Sequence, residues 1–452
     1  HRDLHSFPTR RSSDLLDNTP IGASTPSTGA FTSLSNTGAT TLGQNSGSLA
    51  TINSALKITS GSPGDNKLLV SDASGNATWQ TNVNADTLDS YHANAFQQKY
   101  QNIRVVAKSG GDYSTISAAL NAITDASDSN RYLIYVAPGV YNERVTMKSY
   151  VDIEGAGELT TKITQPGSDN SLIYTLTSAG NCEVRFLTVE NTGGDLFAYA
   201  VTNIGDNTRF THVTILASGG TSTCVGFRNN ALATVLRNVT ISLTGSSDTM
   251  FCINIANPSN LKILNSSVSA TGATNCIGIY NSGDCDLLLR DSTLAISAKH
   301  NESGYSYGIQ NFGTTTVTNT DIEARYGQYC RGIHNIGLLT IQTSTIGTIN
   351  GGVAGYGIYN LQAVFIRNSE VTAVSGGTNY GIFNTATSGA YNVQIDGCKV
   401  SGATNAVYGD AEFTIRVGTS KLAGGAVAPN GASCTCAGVY DEAYVFYAST
   451  CP

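Results

Sequence analysis

Residues 329–384 read YCRGIHNIGLLTIQTSTIGTINGGVAGYGIYNLQAVFIRNSEVTAVSGGTNYGIFN. Within this stretch the segments RGIHN, YGIYN and YGIFN end at Asn335, Asn360 and Asn384, so one short motif returns every 24 or 25 residues. Each Asn is followed by a segment in which hydrophobic and polar residues alternate, for example VFIRNSEVTA from Val364. Such alternation is typical of half-buried strands. A period near 25 leaves room for three short strands and three turns, which predicts a solenoid of stacked rungs.

The motif extends over eight strands. The Asn that closes each strand is expected at Asn203, Asn229, Asn257, Asn281, Asn311, Asn335, Asn360 and Asn384. A bulky apolar residue stands two positions earlier, at Phe227, Ile255, Ile279, Ile309, Ile333, Ile358 and Ile382. We therefore predict an all-β fold, a right-handed parallel β-helix of nine or ten rungs. Ile279, Ile309, Ile333, Ile358 and Ile382 are expected to form one internal stack, with the Asn amides bonded from rung to rung. A leucine-rich repeat would need its own Leu/Asn pattern, and a propeller blade would need about 40 residues.

Residues 103–157 depart from the repeat and predict an N-terminal cap with one short helix. The apolar face of this helix comprises Ile116, Ala119, Leu120 and Ile123. Asp112 or Ser114 is expected to cap its N-terminus, and the apolar run Tyr132–Val136 follows as a strand. The segment resembles the N-terminal cap of pectinesterases and other pectin-lyase-like β-helix proteins. A solenoid needs such a cap because its first rung otherwise exposes core residues and unpaired strand edges.

Residues 16–98 are dominated by small polar residues and contain the phrases KLLVSDASGNATWQ and NADTLDSYHANAF. Such a composition does not bury a large core by itself. Both phrases resemble segments of phage tail fibres and related bacterial surface appendages, and this resemblance implies a homotrimer formed through the segment. A flexible linker is the alternative. Residues 1–15, HRDLHSFPTRRSSDL, resemble a translated sequencing adapter joined to a metagenomic fragment, and they are left out of the fold prediction.

Five parts of the chain follow from these patterns. They are an adapter-derived artefact over 1–15, a fibre-like or linker segment over 16–98, the cap over 99–150, the β-helix over 151–425 and a C-terminal cap over 426–452. Within the last part, Cys434, Cys436 and Cys451 either form one disulfide or remain free thiols.

Four other cysteines stand five residues before the repeated Asn. They are Cys224, Cys252, Cys276 and Cys330. Strict alternation points them outward, whereas the preference of Cys for burial requires a bend in the strand. The sequence leaves both orientations open.

Charge and composition exclude several kinds of partner. Charged residues make up 13% of the chain and the net charge is −7, without a basic run, which disfavours nucleic-acid binding. No window approaches the ~20 apolar residues that would insert into a membrane. Because neither zinc-ligand spacing nor a convergent set of calcium ligands is evident, the sequence predicts no metal and no cofactor.

The pectinesterase resemblance implies a carbohydrate esterase with one Asp as acid/base, a second Asp as nucleophile, an Arg, and Gln residues that hold the oxyanion. The first Asp of that family lies in a Gln-Asp-Thr-Leu phrase, and its nearest match here is SDTM, with Asp248. The second Asp is expected about one rung later, where residues 273–278 read ATNCIG and hold no carboxylate. The family's Gly-Arg-Pro-Trp phrase is also missing. No catalytic residue is therefore predicted, and Asp248 is the single fallback.

The position just before each Asn carries several aromatic residues. From rung to rung it is occupied by Arg228, Ala256, Tyr280, Gln310, His334, Tyr359 and Phe383. Alternation with the inward Ile points these side chains to solvent, and a column of rings is suited to stacking against the C–H faces of sugars. The alternative is packing of the rings across strands, which would only stabilise the sheet.

From Tyr280, Gln310, His334, Tyr359 and Phe383 we predict a site for a polysaccharide or cell-surface glycan. The sequence then favours a non-catalytic structural and receptor-binding protein of a phage tail fibre or bacterial surface appendage, located outside the cell on a virion tail or cell surface. The competing hypothesis is a polysaccharide-active enzyme, either a pectinesterase-like esterase or a lyase or depolymerase. Paired carboxylates facing one groove would favour the enzyme.

Overall fold

Three parallel β-sheets run along the solenoid, and a typical rung contributes one strand to each of them. The computed structural model describes residues 67–71, 77–81 and 102–452, except 166–173, 194–195, 246, 257, 300–302, 350, 375–376 and 426. These residues fall into two units, one within His1–Gln98 and one within Lys99–Pro452. The first unit contains an antiparallel hairpin of Lys67–Ser71 (β1) and Ala77–Thr81 (β2). The other residues of the predicted 16–98 segment, and residues 1–15, lie outside the described part of the chain.

The first sheet contains the strands that end at the repeated Asn. In order along the axis they are Val145–Thr146 (β6), Tyr174–Thr177 (β9), Phe197–Asn203 (β11), Thr223–Asn229 (β13), Thr249–Ile255 (β16), Asn275–Asn281 (β19), Tyr305–Asn311 (β22), Tyr329–Asn335 (β25), Ala354–Asn360 (β28), Thr378–Asn384 (β31), Asn405–Asp410 (β34) and Ala428–Asn430 (β37). The prediction of nine or ten rungs was too low, because β6, β9, β34 and β37 lack the motif.

The second sheet begins in the cap. Its strands are Asn102–Val106 (β3), Tyr132–Val136 (β4), Val151–Gly155 (β7), Thr234–Arg237 (β14), Asn260–Leu264 (β17), Asp286–Arg290 (β20), Thr314–Thr318 (β23), Leu338–Gln342 (β26), Val364–Arg367 (β29), Tyr391–Asp396 (β32), Phe413–Gly418 (β35) and Ser433–Ala437 (β38). Between β7 and β14 the long strands Glu183–Asn191 (β10) and Arg209–Ser218 (β12) pair with both the second and the third sheet.

The third sheet completes each rung. Its strands are Gly139–Asn142 (β5), Thr161–Gln165 (β8), Thr240–Thr244 (β15), Ser267–Thr271 (β18), Thr293–Ser297 (β21), Asp321–Arg325 (β24), Thr345–Ile349 (β27), Glu370–Val374 (β30), Lys399–Gly402 (β33), Lys421–Ala423 (β36) and Val439–Tyr440 (β39). Phe446–Tyr447 (β40) turns back antiparallel to β39. A disulfide joins Cys436 to Cys451 in this last part of the chain.

The cap is built as predicted, with one change at its helix. The helix Ile116–Ala122 (α1) buries Ile116, Ala119 and Leu120, but its N-cap is Thr115, whose hydroxyl accepts the Ala118 N–H at 3.2 Å. The predicted caps, Asp112 and Ser114, were therefore wrong. The Asp112 carboxylate instead accepts the Val105 N–H at 2.9 Å, and so it ties the loop before α1 to β3.

The predicted apolar stack is confirmed, because its members pair in register from strand to strand and are fully buried. They are Ile279, Ile309, Ile333, Ile358 and Ile382. The solenoid is therefore a parallel β-helix whose core runs continuously along the axis.

The predicted Asn ladder is also present, with one interruption. Side-chain amides join consecutive rungs at 2.7–2.9 Å through the pairs Asn203–Asn229, Asn281–Asn311, Asn311–Asn335, Asn335–Asn360 and Asn360–Asn384. In β16, however, the residue in register with Asn229 and Asn281 is Ile255. The assignment of Asn257 was therefore wrong by two residues, and Asn257 itself lies outside the described residues. Because Ile255 offers no donor, Oδ1 of the buried Asn281 has no hydrogen-bond partner.

A left-handed backbone conformation also recurs along the solenoid. It occurs once per rung in the turn from the second to the third sheet, with φ between 44° and 53° at Asn238, Asn265, Asp291, Asn319, Thr343, Asn368 and Thr419. Asn and Asp tolerate this conformation better than most residues. A buried hydroxyl follows in most rungs, and it accepts a backbone N–H of the preceding rung, as Ser369 does from Ser344 at 3.1 Å.

Candidate functional site

The strands of the first sheet bend at their central glycine, and this bend decides which side chains reach the surface. In β25, a Cβ on Gly332 would lie 2.5 Å from Cγ2 of Ile346 and 2.6 Å from the carbonyl oxygen of Gly357, so the residue must be glycine. Beyond the bend Ile333 points inward and His334 outward, and before it Cys330 points inward and Arg331 outward. Strict alternation along the strand therefore fails at this position.

The bend settles the orientation of the cysteines. Cys224, Cys276 and Cys330 are fully buried, and burial raises the pKa of the Cys276 and Cys330 thiols to about 12. Cys252 is also buried but belongs to a different column, because Met250 is the residue in register with Cys224 and Cys276. The outward orientation given by strict alternation is therefore excluded, and these thiols are packed, weakly reactive groups.

The predicted outward column exists. In register it runs Arg228, Asn254, Tyr280, Gln310, His334, Tyr359, Phe383 and Tyr408. Asn254 occupies the position predicted for Ala256. The cause is the same two-residue error in register that misplaced Asn257. All eight side chains are partly exposed, and Tyr408 extends the column by one rung beyond the prediction.

A second outward column lies beside the first and was missed by sequence reasoning. Its members in the central and last rungs are Tyr307, Arg331, Tyr356 and Tyr380, each immediately before a glycine of the motif. Tyr307 is covered by its neighbours and is 8% exposed, whereas the other three are partly exposed. Alternation counted back from Tyr359 places Tyr356 inside, because the two are three residues apart. The bend at the intervening glycine turns Tyr356 outward. An aromatic residue directly before the repeated glycine is the signal that would have revealed this column.

The later members of the two columns, together with Tyr305, whose ring stacks on Tyr307 at 4.5 Å, form what we call the aromatic face. It comprises Tyr305, Tyr307, Arg331, His334, Tyr356, Tyr359, Tyr380, Phe383 and Tyr408. Within the first column, the ring centroids of Tyr359 and Phe383 are 5.4 Å apart and those of Phe383 and Tyr408 are 4.7 Å apart, in stacked orientations. In the second column, Tyr356 and Tyr380 stack at 5.6 Å with an interplanar angle of 5°.

Not every predicted residue joins this face. Tyr280 belongs to a separate cluster, where its ring lies 5.9 Å from Phe251 and 5.5 Å from Phe312. Gln310 stands between the two clusters in the same column.

A guanidinium lies at the centre of the aromatic face. The Arg331 Cζ atom is 3.9 Å from the ring centroid of Tyr359, 4.9 Å from that of Tyr307 and 5.7 Å from that of Tyr356. Its Nη1 donates to Nδ1 of His334 at 3.1 Å, which places the imidazole proton on Nε2 because a guanidinium only donates. Burial, and next the Arg331 charge, lower the pKa of His334 to about 3, so this imidazole is neutral near pH 7.

The fallback catalytic residue stands apart from this face. Asp248 is exposed in the turn before β16, and among the described residues its carboxylate makes no hydrogen bond or ion pair. In the next rung Asn275 pairs in register with the neighbouring Thr249, and its Oδ1 accepts the N–H of Tyr305 at 3.3 Å. The part of the chain that the structure describes contains no group of three or more His, Cys, Asp or Glu residues suited to a metal ion.

Comparison with known proteins supports the assignment of the fold. The pectinesterase family model matches residues 102–252, from the first strand of the cap to β16. The chain is a pectin-lyase-like right-handed β-helix. Probable pectinesterases 49 and 50 of Arabidopsis thaliana are 38% and 39% identical to this β-helix over 73 and 79 residues, or 16% and 18% of the chain. The chain spans about a fifth of the length of these curated relatives, 18% and 20%.

Solved structures of polysaccharide-related proteins are also similar to this chain, at low sequence identity. Pectin methylesterase from carrot is 17% identical, with a TM-score of 0.37, over 64% of this β-helix chain and 84% of that chain. The A-module of mannuronan C-5 epimerase AlgE6 from Azotobacter vinelandii is 16% identical, with a TM-score of 0.41, over 72% and 94% of the two chains. The aromatic face begins at β22, so it lies entirely outside the residues that match the family model.

Proposed function

We propose that this β-helix protein binds a polysaccharide or cell-surface glycan on the aromatic face without transforming it. The observation that carries the proposal is the pair of outward ring columns on one flat sheet. Rungs are spaced at ~4.8 Å, so an extended sugar chain lying along the axis would meet a ring at every rung or every second rung. Each stacking contact is weak, and affinity would come from their sum.

Access to the rings is compatible with this role. Tyr329, at the margin of the face, is 39% exposed, and Tyr356, Tyr359, Tyr380 and Phe383 are partly exposed. The rings also pack against one another, so each keeps a fixed orientation before a ligand arrives. A preordered surface loses little conformational freedom on binding.

The setting we propose is a phage tail fibre or a bacterial surface appendage, outside the cell, with trimerisation through residues 16–98. The disulfide between Cys436 and Cys451 agrees with an oxidising compartment. No helix among the described residues is long and apolar enough to cross a membrane.

A glycan array followed by titration tests the binding proposal. The double variant Tyr359→Ala with Phe383→Ala should weaken binding of the glycans that the wild type retains by about tenfold or more, or ~1.4 kcal/mol. Phe365→Ala is a matched control, because Phe365 is a 37% exposed ring on the second sheet. Unchanged affinity in a folded double variant would place the ligand elsewhere, and unfolding of that variant would show that the rings serve stability alone.

A second candidate function, carbohydrate esterase activity, rests on the family match over residues 102–252. Methanol release from methylated pectin that is lost in Asp248→Asn would support it and would overturn a purely binding role. We expect no release, because Ser247 stands where that family has Gln and no second Asp follows one rung later.

A further inference from the structure

The guanidinium of Arg331 lacks a counter-charge. Its Nε is enclosed and has no hydrogen-bond partner, Nη1 donates only to the neutral His334, and Nη2 makes no hydrogen bond within the described part of the chain and is not enclosed. No carboxylate among the described residues lies within 4.0 Å of it. Three rings around the cation compensate only part of its lost hydration, because a desolvated charge is normally paired with an opposite charge.

Some arginines on the other sheets have a carboxylate partner, whereas the exposed Arg237, Arg367 and Arg416 have none within 4.0 Å among the described residues. Arg185 on β10 holds the Glu154 carboxylate at 2.6 Å, and Arg325 on β24 forms an ion pair with Glu323. Arg228 resembles Arg331: it lies on the first sheet, its enclosed Nε is unpartnered, and its Nη1 donates to the Tyr174 hydroxyl at 3.4 Å. Arg228 and Arg331 are the two arginines on the outer side of the first sheet, and neither has a carboxylate partner.

The first sheet is depleted of acidic residues over a long distance. Its eight consecutive strands from β11 to β31 contain Arg228 and Arg331 but no Asp or Glu, although the whole chain has a net charge of −7. Strands of the second and third sheets in the same rungs carry acidic residues, such as Asp286, Asp321 and Glu370. An anion approaching Arg331 therefore meets no like charge on strands β11 to β31. The acidic residue at the end of the aromatic face is Asp410 on β34, whose carboxylate accepts the Tyr408 hydroxyl at 3.1 Å.

We propose that Arg331 selects glycans that carry anionic groups, with a carboxylate or sulfate of the ligand bound at Nη2 while the sugar rings stack on Tyr356 and Tyr359. This inference rests on the proposed function and names its ligand class. His334 serves as a positioning residue, since its Nδ1 occupies Nη1 and leaves Nη2 directed to the ligand. A guanidinium is suited to the task because it stays charged, and its planar donors match the oxygens of carboxylate or sulfate.

The test compares charged and uncharged forms of the same glycan on the full-length protein. An array of neutral, carboxylated and sulfated glycans gives the ligands retained by the wild type. Carboxyl reduction of a retained uronate glycan, or desulfation of a retained sulfated glycan, then removes the charge. The comparison identifies which anionic group the protein recognises. We expect retention of anionic members, and at least tenfold weaker binding after the charge is removed.

Substitution of Arg331 gives the second arm. Arg331→Gln should weaken binding of the anionic glycan at least tenfold more than binding of its uncharged form, and it should reduce the salt dependence of the anionic glycan's binding. Arg331→Lys should fall between the wild type and Arg331→Gln. Arg416→Gln, which removes an exposed arginine from the second sheet, is the matched control and should bind like the wild type.

Three results are decisive against the inference. If the wild type binds the uncharged glycan as tightly as the charged one, and Tyr359→Ala with Phe383→Ala abolishes both, the glycan site stands but Arg331 does not select charge. If Arg331→Gln retains full affinity for the anionic glycan, the same conclusion follows. If no glycan is retained, the binding function itself fails, and selectivity fails with it. The ligand comparison uses wild-type protein, so it remains valid even if the Arg331 variants do not fold.

Discussion

Replacing one member of the Asn ladder should destabilise the solenoid by an amount that the structure allows us to calculate. Asn335 is fully buried, donates from Nδ2 to Asn360 Oδ1 and to the Gly337 carbonyl oxygen, both at 2.8 Å, and accepts from Asn311 Nδ2 at 2.7 Å. In Asn335→Ile these three hydrogen bonds are lost. Asn311 Nδ2 keeps the Leu338 carbonyl oxygen, whereas the Gly337 carbonyl loses its side-chain donor.

Three hydrogen bonds at about 1 kcal/mol each give a loss of about 3 kcal/mol, and the added apolar surface of Ile offsets part of it. We therefore expect the free energy of unfolding to fall by about 2 kcal/mol. Denaturant titration measures the total, and hydrogen exchange of β22, β25 and β28 shows whether the loss is local, as expected for a solenoid whose rungs contact only their neighbours. Thr340→Ile, at an outward position of the same rung, is the control.

The natural interruption of the ladder supplies the reciprocal experiment. Ile255→Asn should place a donor beside the unpartnered Oδ1 of Asn281, so the new hydrogen bonds offset much of the lost apolar burial. Ile309→Asn, in the neighbouring apolar stack, has no such partner and should cost at least 2 kcal/mol more. Equal costs for Ile255→Asn and Ile309→Asn, together with an unchanged stability of Asn335→Ile, would refute the reasoning that the ladder stabilises the fold.

Four further predictions follow from other parts of the chain. Ile333→Asp should lower the free energy of unfolding by several kcal/mol, because it buries an unpaired charge, and a wild-type melting curve would contradict the core register. His334→Gln should flatten the pH dependence of stability: the folded pKa of about 3 lies below the unfolded value near 6.5, so the wild type loses up to about 1.4 kcal/mol per pH unit on acidification through that window, relative to the variant. Cys451→Ser should loosen the C-terminal cap by about 3 kcal/mol, read by hydrogen exchange in β38 to β40, because the disulfide closes a 15-residue loop. Limited proteolysis should remove residues 16–98 and leave a resistant solenoid, and equal resistance of both parts in a proven monomer would be evidence against a non-compact segment.

The inward-facing positions of each rung were predictable from the sequence, because the core accepts only apolar side chains there. Ile333 and its equivalents stand at a fixed distance from the Asn, and only a buried apolar column produces that regularity. The exception in β16 arose because Asn257 mimics the motif two residues too late, while the true ladder position holds Ile255. The sequence pattern alone does not distinguish a repeat whose Asn is replaced by another residue from a repeat whose Asn is shifted along the chain. Strand register distinguishes the two.

The outward half was predicted only in part, for a physical reason located at the glycines. Gly332 and its equivalents bend the strand because no Cβ fits between neighbouring rungs and the third sheet. The prediction from alternation holds on the side of the glycine that carries Tyr359, and it fails on the side that carries Tyr356. Arg331 was missed for a second reason. A cation enclosed by rings from the two neighbouring rungs leaves no spacing signal, since those rings are 24 to 28 residues away in the sequence.

The uneven distribution of rings among the three sheets favours ligand binding over stability as the reason for the aromatic face. All three sheets need cross-strand packing, so a requirement for stability alone would place rings on each of them. Between β22 and β36, however, the strands of the second and third sheets carry only Phe365, Tyr391 and Phe413, and Phe413 is buried in the core. Their outward positions hold ion pairs instead, such as Lys399 with Glu370 at 2.6 Å, as is usual for a solvated surface. The first sheet concentrates rings, has no acidic residue on its strands from β11 to β31 and retains an unpaired guanidinium on β25. A surface selected only for solubility or stability has no reason to combine these three features.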